Sequence, residues 1–430
     1  PRGGTGEGGA VEPYTVKGSR KWVDIPNDPA DISGGYLLEY EIPTRYDTEV
    51  SGFVTSNGQC VVVKSPEYAS ESEVMYIADI VDAATRALYS ETGRNAEGKH
   101  YGEYFDLESL VNMYILQELG MNHDAAWSSF YLFKSAGSGK LYFSPVWDMD
   151  RAFGERGPKY GIGYADTSVW FANIMGCNDI PSILTAAYSH AGFRQAVSER
   201  WSELRGAGVL SAGESYLSAL KEHLRDSAVM NSVRWDLFDT VDTERVIARW
   251  SAYADTCLNF VSGRVAALDK GFGENGAYVY FDKTAAYSYD WGYPVKICEI
   301  GDVITVPDVA SERIEVEAPE GMAFAGWSEQ RDGGGAVYQP GDEYELVRGY
   351  TVLYAQWKRT AEVMYGDVDA DGSVTAADAR LALRKAVKLE ELTPAQLVDA
   401  DVDLDGGVTA ADARSILRYS IGLEAVLPVG

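Results

Sequence analysis

The sequence predicts a multidomain α+β protein, and three observations carry that expectation. Up to about Phe272, short apolar runs alternate with long stretches whose apolar residues recur at three- and four-residue steps. From Ala277 to Lys358 the texture changes to short alternating runs (YVYF, VITVP, YTVLYAQW) broken by Gly-Asp and Gly-rich turns. Beyond Thr360 an acidic motif occurs twice. With 430 residues the chain has room for two or three domains.

Composition narrows the partners. Lys and Arg total 37 against 65 for Asp and Glu, a formal charge of −28. That balance argues against nucleic acid and anionic membrane surfaces. No apolar run of about 18 residues appears, so no membrane span is expected. The Gly-rich opening PRGGTGEGGA has no apolar leader, which reads as a fragment or processed form of a longer, secreted protein. Cys60, Cys177, Cys257 and Cys298 lack metal-ligand spacing and are expected to pack as small buried hydrophobes. His100, His123, His190 and His223 show no i, i+4 pair, which argues against zinc.

In the first part, periodic stretches predict helices over Glu71–Tyr89, Leu107–Leu119, Ser182–Arg205, Ala212–Leu224 and Thr243–Leu268. Just beyond the second lies Asp124, in a loop. A Gly-Ser-Gly hairpin follows, then a strand from Lys140 that runs out into Asp148-Met-Asp150. A loop carboxylate, a hairpin and an Asp-x-Asp leaving a strand form the layout that phosphoryl transfer wants. One carboxylate orients the nucleophile's proton, and another holds the magnesium bridging the nucleotide phosphates. Loop aspartates also commonly cap helices and turns, so each piece alone is weak.

FDLESLVNMYILQELGMNHDAAWSSFYLFK and GKLYFSPVWDMDRAFG closely resemble the CotH family of atypical kinases, related to spore-coat protein H; so do GGYLLEYE, FVTSNGQCVVVKSPE, RWSELR and Arg234-Trp235. The resemblance spans about residues 33–272. It implies a kinase-like fold, ATP and Mg2+ as cofactors, and Ser or Thr of extracellular proteins as targets. On that template Asp124 corresponds to the catalytic-loop aspartate and Asp148 to the metal-binding aspartate, with Asp150 a second candidate ligand. Ser129 stands where some members place a metal-binding Asn. Lys64, on a strand leading into the helix with Glu71 and Glu73, corresponds to the nucleotide-phosphate lysine with its helical glutamate; a solvent-facing lysine is the other reading. The family usually has a further β segment before the GGYLLE run. Here residues 1–32 read as a Gly-rich, partial segment without a recognisable nucleotide loop, which favours the fold over the activity.

The middle part, residues 277–358, resembles the internalin-type B repeat (Listeria–Bacteroides repeat), a small β-rich surface module. The matching residues are Phe324, Gly326, Trp327, Tyr338, Gly341, Asp342, Leu353, Tyr354, Ala355 and Trp357. Its aromatics either fill the core of a small domain or offer a carbohydrate-stacking face; a spacer or adhesion role is the default.

The third part, residues 361–425, contains DVDADGSVTAAD from Asp367, repeated 34 residues later as DVDLDGGVTAAD from Asp401. Calcium takes six to eight oxygens, and a twelve-residue loop supplies them from positions 1, 3, 5, 7, 9 and 12. Here those are Asp367, Asp369, Asp371, the Ser373 carbonyl, Thr375 and Asp378, then Asp401, Asp403, Asp405, the Gly407 carbonyl, Thr409 and Asp412. Gly372 and Gly406 occupy the sharp turn at position 6, and Val374 and Val408 at position 8 are expected to pack the loops on a core.

Asp at position 12 and a following helix without an obvious entering one resemble the dockerin family, type I-like, as do DARLALRKAV and DARSILRYSI. The resemblance implies two Ca2+ ions and a cohesin module of a scaffoldin as partner, hence an extracellular, cell-surface cellulosome component. Its cohesin-contacting positions carry Ala376, Ala377, Leu383, Arg384 and Lys388, and Ala410, Ala411, Leu417 and Arg418. Three functions follow for the whole chain: a CotH-type kinase, a non-catalytic structural or adhesion component, or a glycoside hydrolase. The last rests only on the polysaccharide-degrading company dockerins keep.

Overall fold

The computed structural model describes residues 14–24, 29–122, 124–154, 166–172, 176–177, 180–237, 240–283, 295–309, 318, 322–359 and 364–429. The Gly-rich opening and His123 lie outside them. The chain divides into two compact units: residues 1–280 with 289–302 and 345–350, and residues 281–288, 303–344 and 351–430.

The first unit is built on a seven-stranded sheet. Its strands are β1 (Tyr14–Lys17), β2 (Arg20–Val23), β3 (Tyr36–Glu41), β4 (Gly52–Val54), β5 (Cys60–Ser65), β6 (Phe130–Lys134) and β7 (Tyr142–Phe143). They run in the order β1-β2-β4-β5-β3-β6-β7, antiparallel at every step. The period-two alternation of side chains decides what each face meets. Tyr36, Leu38, Tyr40, Val61, Val63, Phe130 and Leu132 are buried on one face, where Tyr36 stacks on Tyr76 and Phe130 meets Phe143. On the other face Glu39 lies directly opposite Val62 and Tyr131, with Lys64 two residues on.

The hairpin of β1 and β2 turns at Gly18-Ser19, with Gly18 at φ +63, and β2 pairs with β4. It lies in the stretch read from sequence as a Gly-rich, partial segment, and it is not recognised there as a hairpin. Two four-residue strands around the charged turn KGSRK give too short an alternation to recognise.

The helices of this unit are α1 (Pro43–Tyr46), α2 (Glu71–Leu88), α3 (Leu107–Gly120), α4 (Ile183–Ser189), α5 (Ala191–Gly206), α6 (Val209–Trp235) and α7 (Thr243–Gly271). The short pair β8 (Gly176–Cys177) and β9 (Ile180–Pro181) lies between α3 and α4 in sequence, and β10 (Gly276–Asp282) pairs with β11 (Cys298–Glu299) after α7. Ser70 opens α2 with a reciprocal capping box to Glu73, and Asp106 caps α3. The helix expected over Ser182–Arg205 is two. His190 takes extended backbone (φ −87, ψ 126), and its Nε2 lies 2.7 Å from the Leu88 carbonyl, a tertiary contact that outweighs helical periodicity. The helix α6 extends well past the predicted Ala212–Leu224 at both ends.

One ion pair is fully enclosed. Arg264 on α7 donates to the Glu118 carboxylate (2.6 Å), the Glu118 carbonyl (2.8 Å), and the Thr167 (2.7 Å) and Val169 (2.6 Å) carbonyls. Glu118 on α3 also accepts from the Phe171 and Ala172 amides at 2.8 and 2.6 Å. Both side chains are 0% exposed. Burial pushes the Glu118 carboxyl up, against the opposing pull of the guanidinium and the two amides.

In the second unit, the strands β12 (Val303–Thr305), β13 (Met322–Ser328), β14 (Val337–Tyr338), β15 (Glu343–Glu345) and β16 (Tyr350–Arg359) account for the β-rich texture. β13 pairs with β14 and with β16, antiparallel, with an irregularity between Phe324 and Gly326. Trp327 is buried there, its indole N–H donating to the Pro307 carbonyl at 2.9 Å and its ring meeting Phe281 and Phe324 edge-on. Trp327 is therefore a core residue, whereas Phe324, Tyr354 and Trp357 are half-buried.

The C-terminal part holds α8 (Ala376–Ala386), α9 (Pro394–Ala400) and α10 (Ala410–Ser420) around a core of Val368, Ala379, Ala382, Leu392, Ala400, Val402, Ala413 and Ile416. Val374 and Val408 pack on it as expected. The helix α9 runs straight into the second acidic loop, so that loop does have an entering helix; its seven residues are too few for a visible period. Tyr365 and Leu427 pack on this same core, Leu427 sits against Gly366, and the Val429 amide donates to the Val402 carbonyl at 2.7 Å. Cys60 and Cys298 are buried free thiols and Cys257 is half-buried. No helix among the described residues is long and apolar enough to cross a membrane.

Candidate functional site

The sheet, α3 and two loops assemble the first site. α3 ends with Met121 in the left-handed region (φ 47), which turns the chain out of the helix and into the Asp124 loop. The strand β7 ends at Phe143, and Asp148 itself adopts left-handed backbone (φ 57) as it leads into a 3₁₀ turn, Met149–Arg151. Five of the nine positive-φ residues other than glycine among the described residues are Met121, Ala126, Ser129, Asp148 and Phe153. Such conformations are held only where the surroundings over-determine them, and they concentrate at sites that do chemistry.

The charges of Asp148 and Asp150 bear on Asp124, although among the described residues only the acidic loops of the C-terminal part bring three carboxylates within 4.8 Å of one another. Burial, then the charge of Asp148, push the half-buried Asp124 carboxyl above its ordinary range, against the opposing pull of Arg151. The Ser129 hydroxyl donates to the exposed Asp148 carboxylate at 3.1 Å. Arg45 on α1, missed by the sequence reading, donates to the Ser128 hydroxyl at 2.9 Å and lies 3.8 Å from Glu41. Trp147, 58% exposed, stands beside Asp148 with its ring edge-on to Tyr131.

Lys64 departs from expectation. Its ammonium lies 2.9 Å from Glu49 and 3.5 Å from Glu39, so it is neither solvent-facing nor bonded to α2. Glu73 is buried and accepts from the Ser70 amide at 2.9 Å, and Glu71 is exposed in the first turn. Capping consumes the helical glutamate, which the strand-then-helix order could not reveal. Glu39 lies opposite Tyr131 in the sheet, and burial, then the charge of Glu39, push the Tyr131 hydroxyl up. The site thus holds a half-buried Asp124 under the charge of Asp148 and Asp150, a hydroxyl on Asp148, and a lysine held by Glu49 and Glu39 on the same sheet. These oxygens suit a hard divalent cation, and the lysine suits an anionic ligand beside it.

The second site is the pair of acidic loops. Oxygens of Asp367, Asp369 and Asp371 lie within 4.8 Å of one another, as do those of Asp401, Asp403 and Asp412. Asp378 and Asp412 are fully buried; Asp378 accepts from the Asp369 and Thr375 amides, and Asp412 from those of Val402, Asp403 and Thr409. Burial, then Asp378 or Asp412, raise the carboxyls of Asp369 and Asp403. Gly372 and Gly406 sit at φ +88 and +89, and a Cβ there would meet nothing within 4 Å, so glycine is needed for its backbone and not for space. Carboxylate, carbonyl and hydroxyl oxygens at these positions fit a calcium-sized hard cation.

The helix after each loop repeats the other. Arg384 pairs with Glu390 at 2.8 Å and Arg418 with Glu424 at 3.1 Å. Ala376, Leu383, Arg384 and Lys388, with Ala410, Ala411, Leu417 and Arg418, are exposed, while Ala377 is half-buried. Sequence reasoning missed Val387 (55% exposed) and its counterpart Ile421 (62%), which extend the apolar part of each face. Their position one turn beyond Leu383 and Leu417 was the available signal.

Comparison with known proteins agrees with this division. The profile of CotH kinase protein matches residues 26–268, and that of the Dockerin type I domain matches residues 365–419. Over 39 residues the chain is 44% identical to a protein of Evansella cellulosilytica described as a Gly-rich membrane protein; the match covers 9% of this chain and only 4% of that relative's length. No solved structure matches the chain.

Proposed function

Because the chain belongs to the CotH kinase protein family, we propose that its first unit transfers a phosphoryl group from ATP to Ser or Thr of extracellular proteins, while its dockerin moors it to a cohesin of a scaffoldin. The observation that carries the reading is that the Asp124 loop reaches the Asp148 turn, where the Ser129 hydroxyl donates to the Asp148 carboxylate at 3.1 Å, with Asp124 pushed up by burial and by Asp148. In this reading Asp124 accepts the proton of the attacking hydroxyl, for which a raised carboxyl is a better base. Asp148 and Asp150 hold Mg2+, with Ser129 orienting Asp148, and Lys64 meets a nucleotide phosphate. Magnesium supplies charge neutralisation on the phosphates.

The dockerin reading places a Ca2+ in each loop, with Asp367, Asp369, Asp371, Ser373, Thr375 and Asp378 around one, and Asp401, Asp403, Asp405, Gly407, Thr409 and Asp412 around the other. The cohesin then meets the faces that carry Leu383 and Leu417, and the chain works outside the cell as a cellulosome component. The β module of residues 277–358, on its likeness to the internalin-type B repeat, is a spacer or adhesion element.

Thermal unfolding with Mg2+ and ATP tests the enzymatic half. A ligand at a hundred times its Kd stabilises by about 2.7 kcal/mol. Asp148→Ala should lose the shift, and Asp124→Ala should keep it while losing phosphate transfer. A wild-type protein with no shift refutes the kinase reading and leaves a moored, non-catalytic component.

A further inference from the structure

Lys64 is held by carboxylates from places the sequence did not point to. Its ammonium lies 2.9 Å from Glu49, in the loop after α1, and 3.5 Å from Glu39 on β3. Burial works to lower its pKa, and the bonding and charge of Glu49 and Glu39 outweigh that, so it is raised. An ammonium has three donors. Two are directed to these carboxylates, which fixes the third.

The segment that carries Glu49 also reaches the catalytic loop. Arg45, four residues earlier, donates to the Ser128 hydroxyl at 2.9 Å. Between them, the Tyr46 carbonyl accepts from the buried Lys21 ammonium, which in turn feels the charge of Asp47 and Glu49. The short stretch Pro43–Glu49 therefore touches both Lys64 and the residues flanking Asp124. The helix α2 does not: Glu73 is committed to its own cap.

We infer that Glu49 is the residue that positions Lys64 for a nucleotide phosphate, assisted by Glu39, and that the Pro43–Glu49 segment, not α2, couples the phosphate lysine to the catalytic loop. This rests on the phosphoryl-transfer reading above. A lysine anchored in this way answers to the α1 loop, so movement of α2 leaves its ammonium in place.

The test titrates full-length protein with ATP and with AMP, each with Mg2+, in the wild type and in Glu49→Gln and Glu73→Gln. The ratio of the two affinities isolates the contact to the outer phosphates from general damage to the fold. Glu49→Gln should weaken ATP about five- to tenfold with AMP unchanged, and Glu49→Asp should recover part of the loss. Glu73→Gln should lower the melting temperature and leave the ratio as in the wild type. An unchanged ratio in Glu49→Gln, or a changed one in Glu73→Gln, overturns this inference and leaves the kinase reading standing. Failure of the wild type to bind ATP overturns both.

Discussion

The enclosed pair of Glu118 and Arg264 allows a quantitative prediction. Arg264→Met keeps most of the side-chain volume and removes the charge. Glu118 then remains buried with only the Phe171 and Ala172 amides as partners, and the Thr167 and Val169 carbonyls lose their donor. Stripping one partner from a buried ion pair costs about 3–5 kcal/mol. With a urea dependence of about 3 kcal/mol per M, that lowers the unfolding midpoint of the first unit by about 1 to 1.7 M. The double variant Glu118→Gln with Arg264→Met leaves no buried charge. It should therefore be more stable than Arg264→Met alone, although it carries one more change. In the single variant Glu118 must take up a proton to stay buried, so its folded pKa rises above its unfolded one. Its stability should be greatest in acid and should fall as pH rises through that pKa. The assay is urea unfolding at several pH values, followed by tryptophan fluorescence. If the single variant is no less stable than the double at neutral pH, the reasoning from an uncompensated charge is wrong.

Four further predictions concern the two sites. Asp124 has a folded pKa above its ordinary value, so its contribution is favourable below the unfolded pKa and is lost as pH rises through the folded one. Asp124→Asn should therefore raise the melting temperature at neutral pH without magnesium, and a lowered one counts against a strained carboxylate. Chelation should unfold the dockerin part and abolish cohesin capture. Because Asp369 and Asp403 are raised, calcium affinity should fall off on acidification sooner than for ordinary aspartates, as a calcium titration across pH would reveal. Gly372→Ala or Gly406→Ala should each cost about 1–2 kcal/mol through backbone strain alone, read as a lower melting temperature of the calcium-loaded protein.

How much was legible depended on where the information sits along the chain. The acidic loops could be read because each ligand position is a fixed number of residues from the next, and Gly372, Val374 and Asp378 each sit where the twelve-residue pattern requires. The pairing of Asp124 with Asp148 was suggested by family likeness, and the Asp124 loop does reach Asp148 through Ser129, on either side of the hairpin of β6 and β7. The partner of Lys64 was not, because Glu49 and Glu39 reach it across strands and a loop, and no local rule connects them. The break at His190 was hidden for the same reason: its cause is the carbonyl of Leu88, about a hundred residues away. The hairpin of β1 and β2 and the helix α9 escaped because they are shorter than the period that would announce them.

The two ends of the dockerin part have a mechanical consequence. Tyr365, where its chain begins, and Leu427, near its end, are pressed on one core, and the Val429 amide is bonded to Val402 just inside the second loop. A pull that arrives along the polypeptide at Tyr365 meets this joint first. It loads a patch of side-chain packing and a backbone bond in shear before any tension reaches the carboxylates of either loop. The joint thus stands between the incoming chain and the two acidic loops, as a strain relief for them.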